Sequence, residues 1–245
     1  MKHYKSIFIS DLHLGYKVSR SDLVNDFLEN HTCDNLYLVG DIIDFWELHR
    51  KFVWTRDDSL VLRQILLKKS CGTKVYYLTG NHDGIIRHFL DDISFEGVTF
   101  ANEIIHEGTN GKKYLVVHGD LFDNATVVWE VISRMGGRAY EHSVNLNRFI
   151  NMIRAWFNLP PLSTSAALKK KVKSAVNYIN QFEDHMTKYC RERGCEGAIC
   201  GHIHSAVIRD MNGLIYMNCG DWVESYTALV ENEDGSFEIV KWNKR

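Results

Sequence analysis

Six short apolar runs along the chain end in the same kind of polar punctuation. SIFISDLH (6–13), NLYLVGDIID (35–44), KVYYLTGNHD (74–83), KYLVVHGD (113–120), GAICGHIH (197–204) and LIYMNCGDW (214–222) each place four to six strand-forming residues before polar groups, mostly beside a glycine. Unbroken apolar runs of this length suit strands buried on both faces. Two further runs, YTALVEN and SFEIVKW, are joined by EDG and predict a closing hairpin.

Between the early strands the apolar spacing becomes three and four. Residues 21–30 (SDLVNDFLEN) and 57–69 (DDSLVLRQILLKK) read as helices, each opening on a residue suited to an N-cap, Ser21 and Asp57. Strands that alternate with helices give an α/β class. Residues 123–193 form a long strand-free block. In its second half Leu168, Val172, Val176, Ile179, Phe182, Met186 and Tyr189 recur at helical spacing, with Ser163 or Ser165 as a cap and Gly194 as a stop. The first half, from about Thr126 to Asn158, is helical in character and interrupted by Gly136 and Gly137. The two halves meet at WFNLPPLS, which holds both prolines, Pro160 and Pro161. The expectation is one domain over 1–245 carrying a helical-hairpin insert at about 123–193. There is no internal repeat or low-complexity tract.

Composition narrows the class. The 245 residues, 45% hydrophobic and 24% charged, suit a globular protein with a substantial core. A net charge of −2 gives no global bias toward nucleic acid or membrane. The six cysteines form no C-x-x-C pair, which disfavours a zinc ribbon or a thioredoxin-type site. The start, MKHYKSIFIS, enters a strand directly, and no apolar run approaches the length of a membrane span. These features read as a cytoplasmic protein with reduced thiols.

The polar strand ends carry the chemistry. Asp11 and His13 form D-x-H, and Gly40-Asp41 is followed by Asp44. Asn81, His82 and Asp83 follow Gly80, His118 precedes Gly119-Asp120, and His202 and His204 form H-x-H after Gly201. Each set leaves a different strand, so all can meet at one sheet edge, where ligand sites of α/β sheets lie. Imidazole and carboxylate oxygen suit Mn, Fe or Zn. The D-x-H and H-x-H spacings let alternate residues reach one metal, Asp41 can bridge two, and the amide of Asn81 is a neutral ligand. Neither a Walker-type nor a Rossmann glycine motif is present.

In this order the blocks D-x-H, G-D, G-N-H-D, H and G-H-x-H resemble the calcineurin-like metallophosphoesterase superfamily. The resemblance implies a two-sheet α/β sandwich flanked by helices and two divalent ions, manganese foremost, with iron or zinc as alternatives. It implies Asp11, His13, Asp41 and His204 on one ion, and Asp41, Asn81, His118 and His202 on the other. His82 would donate a proton or hydrogen bond to the phosphoryl oxygen or leaving group. Asp83 and Asp120 would orient imidazoles from behind, and Asp44 would do so or cap a turn. Two such ions brace an in-line displacement at phosphorus, hence hydrolysis of a phosphoester or pyrophosphate.

A finer resemblance is to the UDP-2,3-diacylglucosamine diphosphatase branch of lipid A synthesis. It rests on GDIIDFW, HGDLFD at 118–123, the helical insert, and NCGDWVE at 218–224. One position departs: that branch usually has arginine where His82 stands. The insert suits an anionic lipid-like substrate. Residues 134–173 hold eight basic residues against Glu141 alone, a local balance of +7, around the apolar turn Trp156, Phe157, Leu159 and Leu162. The expectation is a lid that takes substrate through Arg148, Arg154, Ser165, Lys169 and Lys173, with 154–164 touching the inner membrane surface. Against this stand a plain solvated basic face and a turn packed on its own domain or on a dimer partner.

Other readings follow the same residues. A phosphodiesterase for another small nucleotide or phospholipid fits the metal set equally. A non-catalytic scaffold is opposed by the completeness of the ligand positions, and no nucleic-acid partner is expected. The chain is read as a monomer or homodimer. His3, His31, His49, His88, His106, His142 and His185 match no motif and read as surface or hydrogen-bonded structural residues. Cys200 and Cys219 read as small packing residues near the site. Trp222 and Glu224 read as pocket wall or strand-end packing.

Overall fold

A computed structural model of the chain describes residues 1–90, 95, 97–122 and 179–242. In chain order the elements are β1 (Lys2–Ile9), α1 (Ser21–Asn30), β2 (His31–Val39), α2 (Phe45–Arg50), α3 (Arg56–Ser70), β3 (Lys74–Leu78), β4 (Thr99–Ala101), β5 (Glu103–Glu107) and β6 (Lys113–Val117). Residues 179–192 are helical. Then come β7 (Gly197–Cys200), β8 (Val207–Met211), β9 (Leu214–Asn218), β10 (Thr227–Glu231) and β11 (Phe237–Lys241). The chain divides into two compact units, Met1–Phe122 with His185–Arg245, and Asp123–Asp184. Arg148, Arg154, Ser165, Lys169, Lys173 and the 154–164 turn lie outside the described residues. No described helix is long and apolar enough to cross a membrane.

The first unit holds both sheets. One has the order β11-β10-β1-β2-β3-β4 and the other β5-β6-β7-β9-β8. The runs β1–β4 and β6–β7–β9 are parallel, while β10, β5 and β8 join antiparallel. Every predicted strand is present, and the two-sheet α/β architecture is the one observed. Three strands carried no sequence signal: β4, β5 and β8. Each lies at a sheet edge, where one face meets solvent and charged residues replace the apolar run, as in EIIHE and VIRDM.

Alternation within the strands explains why their sequences are apolar throughout. Ile7, Ile9, Leu36, Leu38, Val75 and Tyr77 turn to one side and pack with Leu23, Val24, Phe27 and Leu28 of α1 and Val61 and Ile65 of α3. Phe8, Tyr37, Val39 and Leu78 turn to the other and meet Tyr114, Val116, Ile199 and Met217 of the second sheet. Each fully buried side chain of this kind contributes about 1.5–3 kcal/mol. The inter-sheet layer holds a buried histidine–carboxylate contact. His106 Nε2 lies 2.8 Å from Glu231 Oε2, and Glu231 also accepts from Ser6 Oγ and the Thr109 N–H, each at 2.8 Å.

The helix starts differ from the expected caps. Ser21 does not cap α1; its hydroxyl donates to Asp58 of α3, and the N-cap is Arg20, whose side chain makes no capping bond. Asp57 does not cap α3; Thr55 does, in a capping box with Asp58. Asp58 is buried between the helices, so one carboxylate serves both the cap and the α1–α3 contact. The stop at Gly194 is as expected. Its left-handed φ of 66° and the bonds Gly194 N–H to Arg191 O and Cys195 N–H to Cys190 O form a Schellman turn. All six cysteines are free, and Cys200 and Cys219 are wholly buried. Trp222 is strand-end packing, its ring centroid 5.3 Å from that of Phe27. His142 is outside the described residues; His31 is buried and bonded to Phe27 O.

Candidate metal centre

The loops that leave β1 and β2 run side by side. Asp11 N–H donates to Gly40 O at 3.1 Å, His13 N–H to Asp41 O at 3.0 Å and Leu14 N–H to Ile42 O at 2.9 Å. Gly201 N–H donates to His118 O at 3.0 Å, which joins the β6 and β7 ends in the same way. Asp11, His13, Asp41, His202 and His204 all have left-handed backbone, with φ between 48° and 68°. Such φ values cost a residue with a side chain about 1–3 kcal/mol, and they concentrate where function holds them. The D-x-H pair therefore converges through left-handed turns and not through strand alternation.

Glycines make room for these side chains. A Cβ on Gly80 would lie 2.2 Å from Asp41 Oδ1 and 2.8 Å from His118 Cδ2. One on Gly201 would lie 2.5 Å from Asp11 Oδ2. At neither position is φ positive, so these two glycines are required for space, not for turning.

Two groups of donors result. Asp11, His13 and His204 lie within ligand distance of one another, with His204 Nε2 3.1 Å from Asp11 Oδ1. Asp41 and His118, again with Asp11 in reach, form the second, with His118 Nε2 3.4 Å from Asp41 Oδ2, and the His202 ring lies 5.1 Å from that of His118. Asp41 also groups with His13 and His82, so its carboxylate reaches both sides. The H-x-H pair is thus divided: His202 stands with His118, and His204 with Asp11 and His13. Spacing alone let the pair reach one metal; the family resemblance already divided it between two.

Asp44 has both roles that were weighed for it. Its Oδ2 lies 3.0 Å from His13 Nδ1, and its Oδ1 accepts the Glu47 N–H at 2.9 Å and caps α2. Among the described residues Asp83 and Asp120 make no hydrogen bond to an imidazole, although burial of His118 is offset by the charges of Asp41, Asp11 and, least, Asp120. Asp83 accepts from the Ile42 N–H, the Tyr77 hydroxyl and the Gly80 N–H, so it fixes the backbone turn under Asn81. Asp120 pairs with Arg87 at 2.8 Å. The His118 ring is held by Val39 O, 2.9 Å from Nδ1, because the β2 end lies directly beneath it.

The electrostatics call for cations. Asp11, Asp41, Asp44 and Asp83 are buried, and among the described residues none has a lysine or arginine partner. Burial would raise Asp41, but His118 and then His13 and His82 outweigh it and hold the carboxyl well below its usual range. Burial likewise opposes Asp11, and His204 brings it down to about 2. Asp83 is pushed up to about 6, by burial first and then by the charge of Asp41. Asn81 Oδ1 is buried without a hydrogen bond, and Asp11 Oδ1 and His118 Nε2, also buried, face only His204 Nε2 and Asp41 Oδ2, off the line of a hydrogen bond. Lone pairs left unused beside clustered carboxylates and imidazoles fit divalent ions with mixed N/O ligands.

The sixth polar strand end supplies residues without an assigned role in the sequence. Asn218 donates to Gly201 O at 2.6 Å and accepts the Gly220 N–H at 2.9 Å, while Ser10 Oγ donates to Gly220 O at 2.9 Å. Asp221, wholly buried, accepts the Val223 N–H at 2.8 Å and lies near enough to His204 to raise its pKa, although Asp11 does more. These residues brace the H-x-H loop. Their one sequence trace is the shared strand-then-polar pattern of NCGDW.

Comparison with known proteins agrees with this geometry. The profile of calcineurin-like phosphoesterases matches residues 4–206. A UDP-2,3-diacylglucosamine hydrolase of Shewanella sp. (strain ANA-3) is 24% identical, aligned over 94% of this chain and 95% of its own. The protein of that name from Neisseria meningitidis serogroup B is 25% identical, over 97% and 98%. Among solved structures, a hypothetical protein of Pyrococcus horikoshii OT3 shares the fold with a TM-score of 0.51 at 10% identity, over 99% of this chain and 89% of its own.

Proposed function

The chain belongs to the calcineurin-like phosphoesterase family, and from that premise we propose that this metal-dependent phosphoesterase hydrolyses the pyrophosphate of UDP-2,3-diacylglucosamine to UMP and 2,3-diacylglucosamine 1-phosphate. One observation carries the substrate: relatives of that name align with nearly the whole chain, so the likeness is not confined to the ligand-bearing strand ends.

In this reading Asp11, His13, Asp41 and His204 hold one divalent ion and Asp41, Asn81, His118 and His202 the other. Manganese is the proposed metal, with iron and zinc sharing its taste for these donors. Bound there, the pair supplies Lewis-acid stabilisation of the phosphoryl oxygens and a lowered pKa for water.

The chain's own groups do the rest. His82 Nδ1 lies 3.0 Å from Asp44 Oδ2, off the line of a good hydrogen bond but close enough for an ion pair. With Nδ1 committed there, Nε2 is the ring nitrogen available to donate to a phosphoryl oxygen or to the departing group. Trp46 lies against the same ring, with centroids 4.3 Å apart, and fixes its plane. An arginine at this position would donate two bonds in a fork; His82 donates one, and the proposed ions carry the remaining charge.

The test is direct. Manganese-loaded protein is incubated with UDP-2,3-diacylglucosamine and, separately, bis-p-nitrophenyl phosphate, with UMP release followed by phosphorus NMR and Asp41→Ala as blank. Metal-dependent UMP release is expected. Cleavage of the chromogenic diester alone would retain the phosphoesterase and move it to another small nucleotide or phospholipid.

A further inference from the structure

Arg87 occupies the short 3-10 turn Gly84–Phe89 that follows Asn81 and His82. Its Nε donates to Thr79 Oγ1 at 3.0 Å and its Nη2 to Thr79 O at 3.1 Å. The same Nη2 reaches Asp120, 2.9 Å from Oδ1 and 2.8 Å from Oδ2. Thr79 follows β3 of one sheet, two residues before Asn81. Asp120 follows β6 in the other sheet, two residues after His118. The strands β3 and β6 share no backbone ladder. The guanidinium therefore ties two loops from different sheets, and those loops carry Asn81 and His118.

We propose that Arg87 is a positioning residue for one ion only: it sets the distance between the Asn81 and His118 loops and so closes the second of the two proposed metal sites. The inference rests on the ligand sets proposed above. Asp11, His13 and His204 make no contact with Arg87 or Asp120 among the described residues, so the first site meets the tether only through Asp41, which the two sites share. The Arg87 side chain is 25% exposed and that of Asp120 only 7%, so the pair is shielded from the screening that empties surface ion pairs of energy. Its Nε and Nη2 are committed to Thr79 and Asp120, which makes Arg87 a brace between the two loops. It also lies five residues beyond His82, so it does not stand in for the arginine expected there.

The test compares manganese content per chain, after dialysis against graded free manganese, in wild type, Arg87→Ala, Arg87→Lys, Asp120→Asn and the double variant Arg87→Ala/Asp120→Asn, alongside thermal midpoints. Wild type should show two classes of site. In Arg87→Ala one class should weaken by about 10–100-fold, the usual effect of removing a group that orients ligands, and the other, which shares only Asp41 with it, should change far less. Arg87→Lys should fall between, since it keeps the charge and loses the fork. The double variant should be no weaker than Arg87→Ala, because both changes cut one tether. Unchanged affinity of both sites in Arg87→Ala would overturn the proposal. So would a parallel loss of both that tracks a fall in thermal midpoint, which would make Arg87 merely structural. A wild type that binds no manganese, or whose binding ignores Asn81→Ala and His118→Ala, would instead sink the ligand sets themselves.

Discussion

Asp44 Oδ2 lies 3.0 Å from Nδ1 of His13 and 3.0 Å from Nδ1 of His82. One carboxylate oxygen thus orients a proposed metal ligand and the proposed proton donor, whose rings stand edge to face 4.7 Å apart. Its other oxygen caps α2. The helix is short, and the cap holds the carboxylate still between the two imidazoles.

Asp44→Asn keeps the shape and the cap but removes the charge. We expect kcat on bis-p-nitrophenyl phosphate to fall by about 10–100-fold, with the thermal midpoint nearly unchanged. Asp44→Ala should add a stability loss of about 1 kcal/mol from the missing cap. Steady-state kinetics and thermal melts of the two variants separate these effects.

Gly80→Ala should abolish metal binding and activity, because the new methyl would stand 2.2 Å from Asp41 Oδ1 with rigid backbone behind it. Gly84→Ala is the control four residues on: no atom lies within 4 Å of its Cβ position and its φ is not positive. It should stay within about 0.5 kcal/mol of wild type. Equal damage from both would mean that the space around Asp41 is not what Gly80 protects.

Removal of divalent ions should destabilise as well as inactivate. Five left-handed side-chain-bearing residues and a group of buried carboxylates converge on one edge. After chelation the thermal midpoint should drop, and added manganese should restore it with activity. At free manganese 100-fold above its Kd the gain is about 2.7 kcal/mol for one site. An unchanged midpoint on chelation would contradict the proposed sites.

Glu231 gives a pH signature away from the centre. Burial opposes its ionisation, but His106, the Thr109 N–H and Ser6 outweigh burial and lower its pKa from 4.5. A carboxylate with a folded pKa below its unfolded value adds stability above the unfolded value, and that stability is lost as pH falls through the folded one. Wild type should therefore be more stable than Glu231→Gln near neutrality, with the gap in thermal midpoint narrowing as pH drops below 4.5. A gap that stays constant down to about pH 3 would remove the ionised carboxylate from the explanation.

Much of this protein was legible along the chain. Strands buried on both faces must be apolar throughout, so β1, β2, β3, β6, β7 and β9 announced themselves, and the polar residues just past them named the candidate donors. The edge strands β4, β5 and β8 did not, because a strand with one wet face carries no such run. The hydrogen-bond partners of Asp83 and Asp120 were hidden for a related reason. A carboxylate beside a histidine in sequence need not face it in space, and here each turns to a backbone or guanidinium donor from another loop.

The sequence by itself determined which residues could hold metal and that they leave different strands, since residue type and burial pattern are local properties. Their grouping follows from the family resemblance; only the tertiary structure decided what links them. It joined His13 to His82 through Asp44, and through Arg87 it tied Thr79, two residues before Asn81, to Asp120, two residues after His118. Those relations span two sheets and left-handed turns, and hydrogen bonds between distant segments leave no periodic trace in the chain that makes them.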